Sequence, residues 1–275
     1  MKNRLIIGVF CMMFAFWGQA QKGWEVGPWI GVSNYFGDLN TNYRLTDLGP
    51  AAGIGARYNF GHRICVKGSL NYGYVYASDS DSPNNFEKAR NLDFQSNIFD
   101  FTGTGEFNFL PYTHGSRYEN FTPYMILGFS VFYYEPYTFF ENERYFLRPL
   151  GTEGQRRTDE YSFISAGITY GGGFKWDINY DYSINIEFTF RQLFTDYLDD
   201  VSALYPQASL LEADRGEIAR QLSDRSGEPK IGQFGRQRGD STRNDQYNFL
   251  GISIMKYFGN VQCPKISSKT AAIWL

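Results

Sequence analysis

The sequence predicts an all-β fold, an eight-stranded antiparallel transmembrane β-barrel of the outer-membrane kind, on three observations. Apolar residues recur with a period of two along about eight segments, the spacing of strands rather than helices. The opposite parity carries charges of both signs among Gly, Ser, Thr and Asn, so the polar face is the enclosed one and the greasy face looks outward. Connections between the segments alternate short and long, as in barrels with short periplasmic turns and long extracellular loops. Composition agrees: the 275 residues include 21 Tyr, 25 Phe and 29 Gly but only 2 His and 3 Cys. A mean hydropathy of -0.40 excludes a helical membrane protein. The mild formal charge of -3 argues against a nucleic-acid binder.

Taken in order, residues 1–20 read as a secretory leader, with Lys2 and Arg4 charged, Leu5 to Trp17 apolar and Gly18-Gln19-Ala20 at the cleavage point. The surroundings of Cys11 make a poor lipoprotein signal. Cys65 and Cys263 therefore remain in the mature chain, in a compartment that permits disulfides. Residues 21–258 form the barrel. Outward parity runs through Trp24, Val26, Pro28, Ile30, Val32 and Phe36, and then through Ala52, Ile54, Ala56, Tyr58 and Phe60. The third strand follows Ile64, Val66, Leu70, Tyr72, Tyr74 and Tyr76, and the fourth Phe99, Phe101, Phe107 and Phe109. Strands five and six take Pro123 to Tyr133 and Ile164 to Trp176. The seventh, Tyr182 to Phe190, alternates most cleanly, and the last takes Leu250, Ile252, Ile254 and Phe258.

The first strand shows why alternation extends so far. Trp24 and Phe36 are twelve residues apart, roughly 40 Å of strand at ~3.3 Å per residue. A tilt of about 40° brings that to about 30 Å, enough for the apolar band of ~25 Å with its aromatic girdles. Trp24, Phe36 and Phe258 are the expected girdle residues. The inward parity holds Glu25, Arg57, Lys67, Glu106, Lys175, Glu187 and Arg191. Eight strands leave room only for side chains, so these charges are expected to form an ionic plug rather than a conducting channel.

The chemistry-bearing residues are sparse. His62 and His114 both fall in short turns, away from the long loops where a His-assisted nucleophile would sit. No Cys/His pair has metal-ligand spacing, and no catalytic site, metal, cofactor or small-molecule substrate is expected. The loop 195–243 is too long for a passive link. Within it, ASLLEADRGEIARQL (208–222) has helical spacing interrupted by Gly216, and it either caps the barrel mouth or docks a partner. Residues 259–275 continue past Phe258 as a tail on the periplasmic side. Two pairings stay open for the cysteines: a Cys65–Cys263 bond within the chain, against which the inward parity of Cys65 speaks, or a bond to another chain through Cys263.

Three stretches carry a family resemblance over essentially the whole mature chain: EVGPWIGVSNYFGDLN in the first strand, PAAGIGARYNF after the first loop, and KYFGNVQCPK at the end. In these the chain resembles the PorG family, an outer-membrane component of the type IX secretion system of Bacteroidota. The resemblance implies a non-enzymatic role beside the translocon, associated with the periplasmic ring of the lipoprotein PorK and PorN. On that reading, outer-membrane lipids surround the barrel and both mature termini are periplasmic. Cys263, Pro264 and Lys265, with the turns around His62 and His114, form the expected docking face. The alternative is a small passive porin or ligand-binding barrel.

Overall fold

The computed structural model describes residues 22–41, 44 and 46–259. The leader and the tail, with Cys263, Pro264 and Lys265, lie outside the described residues. Ten strands form one antiparallel sheet: β1 (Gly23–Phe36), β2 (Gly49–Asn59), β3 (Ile64–Ser78), β4 (Asp93–Asn108), β5 (Phe121–Tyr134), β6 (Tyr137–Phe140), β7 (Glu143–Phe146), β8 (Ile164–Asp177), β9 (Tyr182–Leu193) and β10 (Gln246–Gly259). Eight of them close on themselves. The order β3-β2-β1-β10-β9-β8-β5-β4 is sealed by pairing of β3 with β4, and closure leaves no barrel edge unpaired. Strands β6 and β7 are a hairpin that extends β4 above the barrel wall through the pair Gln95↔Tyr137.

Register follows parity. Trp24 faces Phe258 and Tyr35 faces Tyr247 across the β1–β10 seam. Ile30, Ile54, Leu70, Phe101, Leu127, Phe129 and Ile252 are exposed in a belt around the wall, while Glu25, Arg57 and Lys175 are fully buried inside it. Of the residues expected in the girdle, Trp24 and Phe258 are 52% and 54% exposed, whereas Phe36 is covered at 6%. Phe36 is covered because the residues after β1 and those before β10 fold over it, enclosing a crevice lined by Asp38, Asp240 and Arg243.

The short connections lie at one end, after β2, β4 and β8, and the long ones at the other. The long loops build a layer of their own. Helix α1 (Asn85–Arg90) starts where the Asn84 side chain accepts from Phe86 N at 2.9 Å, and it ends at Asn91 in the left-handed region. The segment 208–222 forms two helices, α2 (Ala208–Arg215) and α3 (Glu217–Ser223), split at Gly216 with φ +90. Only a residue free of a Cβ adopts that angle without strain. Leu39, Leu92, Leu147, Leu198, Val201 and Leu222 join Tyr35 and Phe94 in a continuous apolar core that seals this end. The long loop is therefore a cap. Among the described residues, no helix is long and apolar enough to cross a membrane.

Candidate functional site

Three layers follow one another along the barrel axis: a floor at the short-turn end, an ionic bore and the loop cap. In the bore, Arg57 Nη1 lies 3.0 Å from Glu25 Oε2, and its Nε lies 2.7 Å from Glu106 Oε2. Lys175 Nζ reaches Glu106 Oε2 at 2.7 Å and donates to Asn108 Oδ1 at 3.0 Å. Asn59 Nδ2 donates to Glu25 Oε1 at 2.6 Å. Further along, Lys67 Nζ pairs with Glu187 at 2.6 Å, and Tyr124 donates to the same carboxylate at 2.9 Å. Six of the seven inward charges expected from parity are thus paired inside the barrel, and the seventh is Arg191.

An eighth, Asp100, completes the set. Arg191 Nε approaches Asp100 Oδ2 at 2.6 Å, where Tyr247 also donates at 2.7 Å, and Asn71 donates to Oδ1 at 2.7 Å. Asp100 was legible in the sequence, since it lies between outward Phe99 and Phe101 in the same alternation. Four carboxylates thus face four cations along the bore, with Lys175 over the Tyr124 ring at 4.3 Å and Arg191 over Phe249 at 4.2 Å. The cavity lined by Trp29, Lys67, Glu187, Arg191 and Phe249 has a volume of about 30 Å³, room for a few waters rather than a pore.

The floor corrects one expectation. The turn around His114 was expected at the docking face, and its imidazole is inside; Cys65, a disulfide candidate with inward parity, is inside as well. His114 is 4% exposed. Its Nδ1 lies 2.8 Å from Asp177 Oδ1, its Nε2 3.3 Å from Glu25 Oε1, and its ring stacks on Tyr257 at 4.2 Å. The β4–β5 turn drives it there. Gly115, at φ +73, turns its N–H onto Asp177 Oδ2 at 2.6 Å, and this folds the preceding residue under the barrel. Strand parity ends at Asn108 and carries no information about such a turn. Cys65 is a free thiol, fully buried, 3.8 Å from Asn108 Nδ2 and 3.9 Å from Lys175 Nζ. Its inward parity was read correctly, and burial removes it from any accessible surface. His62 stays at the rim: Thr113 donates to Glu119 at 2.8 Å and so accepts from His62 Nδ1, also at 2.8 Å.

Burial opposes the charged form of His114, but the Asp177 and Glu25 carboxylates outweigh it and hold the imidazole above its ordinary 6.5. A folded value above the unfolded one means that its stabilisation is complete below pH 6.5 and is lost as pH rises through the folded value. NMR titration of the folded protein should therefore give His114 a midpoint above 6.5 that falls in Asp177→Asn. A midpoint at or below 6.5 would show that desolvation wins.

The cap is tied together by three arginines. Arg90 grips Asp79 through Nε (2.8 Å) and Nη2 (2.7 Å), and also donates to the carbonyls of Arg238 (2.6 Å) and Asp38 (2.8 Å). Arg238 pairs with Glu153 at 3.1 Å, and that carboxylate accepts from the backbone of Ser202 and Ala203. Arg225 reaches across to Asp93. Among the described residues, no three His, Cys, Asp or Glu side chains converge on a metal-sized point.

A family model described as a domain of unknown function, DUF6089, matches residues 3–213. No curated protein matches the sequence. Solved structures with similarity include Ail of Yersinia pestis (10% identity, covering 88% of this chain and 100% of Ail, TM-score 0.38). Neisserial surface protein A is similar at 10% identity, 86% and 97% coverage and TM-score 0.43. OprG of Pseudomonas aeruginosa is similar at 10% identity, 88% and 99% coverage and TM-score 0.42.

Proposed function

We propose that this chain, which belongs to the DUF6089 family by the match over residues 3–213, is a non-enzymatic outer-membrane component of the type IX secretion system. It spans the membrane with its short-turn end and both mature termini in the periplasm, and it anchors the PorK/PorN ring near the translocon. The resemblance of its strand-one, post-loop and C-terminal stretches to the PorG family supports that role. The observation that carries it is the filled bore: paired charges, a cavity of about 30 Å³ and a loop layer across one end. A barrel packed in this way is a rigid anchor with nothing to conduct. With His114 internal, the docking face we propose is the rim around His62 together with the tail residues Cys263, Pro264 and Lys265.

Mild-detergent capture of the tagged protein from its native outer membrane, followed by mass spectrometry with and without reductant, tests this. A periplasmic ring lipoprotein should co-purify, and an adduct released by reductant would place the contact at Cys263. Capture of the barrel alone, together with steady conductance in planar bilayers, would overturn the anchor in favour of a small passive porin.

A further inference from the structure

At the long-loop end, the Tyr35 hydroxyl lies 2.5 Å from Asp199 Oδ2 and 2.9 Å from Asp245 Oδ1. A phenol has one proton to donate, and both neighbours are carboxylate oxygens. The remaining oxygens of the pair are occupied as well: Asp199 Oδ1 accepts from Val201 N at 2.9 Å and Asp245 Oδ2 from Leu198 N at 2.8 Å. All three side chains are fully buried. One of the two contacts must therefore run the other way, with a carboxylic acid O–H donating to the phenol oxygen. We propose that Asp199 and Asp245 form a proton-binding site, sharing one proton across Tyr35, and that this proton locks the loop cap onto the barrel.

Among the described residues, no cation pairs directly with either carboxylate. The β1–β2 connection brings Asp38, whose carboxylate accepts from Asp240 N at 3.0 Å. The β3–β4 connection brings Arg90, already committed to Asp79. The β5–β8 connection brings Glu153, committed to Arg238 of the last loop. That last loop adds Asp196 and also Asp200, which accepts from Thr152 at 2.5 Å and from Tyr161 at 2.8 Å. Below, Asp100 is taken by Arg191. Carboxylates thus outnumber guanidiniums in the cap, and no three of them meet at a metal-sized point among the described residues. Protons are the small cations that fit.

Burial, then the charges of neighbouring carboxylates, push Asp199 and Asp245 well above the ordinary 3.8, against hydrogen bonding by Tyr35. Burial likewise raises Asp196 to about 8 and Asp38 and Asp200 to about 6. Each folded value exceeds the unfolded one. The stabilisation is therefore complete below about 3.8 and is lost as pH rises through about 6 to 8 and beyond. The cap is tight in acid and loosens toward alkaline pH.

Hydrogen exchange with mass spectrometry on the full mature chain, folded in lipid nanodiscs and followed from acid to alkaline pH, reads this directly. After correction for intrinsic exchange, protection of residues 195–205 should fall by roughly tenfold per pH unit for each proton released, while the barrel strands stay protected. In Asp245→Asn the amide N–H₂ takes the place of the acid O–H, and the slope should fall by the one proton removed while the cap stays closed. Asp199→Asn makes the same substitution from the other side and serves if the first variant fails to fold. Flat protection in the wild-type chain, an unchanged slope in the Asn variants, or protection that follows added Ca²⁺ at fixed pH would each overturn the proton.

Discussion

Arg57→Met should cost the barrel about 3–5 kcal/mol, the range for removing one partner of a buried ion pair. The guanidinium is fully buried between Glu25 at 3.0 Å and Glu106 at 2.7 Å, so the methionine leaves Glu106 with Lys175 and Glu25 without its guanidinium, one buried negative charge in excess. Desolvated charge without a partner is what makes the loss large. Denaturant unfolding of the barrel in detergent micelles, followed by the gel shift between folded and unfolded forms, measures it. The double variant Arg57→Met with Glu25→Gln removes the excess charge while keeping the Glu106–Lys175 pair and should recover much of the loss. If the double variant is no better than the single one, the cost comes from packing around Tyr124 and the ionic account is wrong.

That network is legible in the sequence because period two is rigid. Once Phe99 and Phe101 point outward, Asp100 has no choice, and the same holds for Glu25 beside Trp24. The constraint expires where strands end. His114 lies six residues past the last residue of β4, in a turn whose path depends on the Gly115–Asp177 contact between segments far apart in sequence. Phe36 sits on a strand and obeys parity, yet it is covered by residues of the last loop. Alternation specifies a direction, not what is waiting there. The loop layer was hardest to foresee. Helical spacing in 208–222 and the break at Gly216 were visible, but the cap's cohesion comes from Arg90, Glu153 and Arg238, each isolated in sequence and joined only in three dimensions.

The cap and the barrel should consequently fail separately, and Arg90→Met is the variant that divides them. Arg90 holds the Asp79 carboxylate and the carbonyls of Asp38 and Arg238, so one side chain fastens three connections. None of these bonds involves the barrel bore. Its loss strands a buried carboxylate, again a penalty of about 3–5 kcal/mol, but one that local opening of the loops relieves without unfolding the wall. Limited trypsin digestion should then cut within the last loop, at Arg220, Arg225 or Lys230, much faster than in the wild-type chain, while the heat-modifiable gel mobility of the barrel stays unchanged. Equal digestion of the two proteins would mean that the apolar core around Leu198 and Leu222 holds the cap unaided. The same variant also separates the two ends of the molecule functionally. An anchor that works through its periplasmic rim and tail should still support secretion with a loosened cap. Loss of secretion at normal barrel levels would place part of the working surface among the long loops.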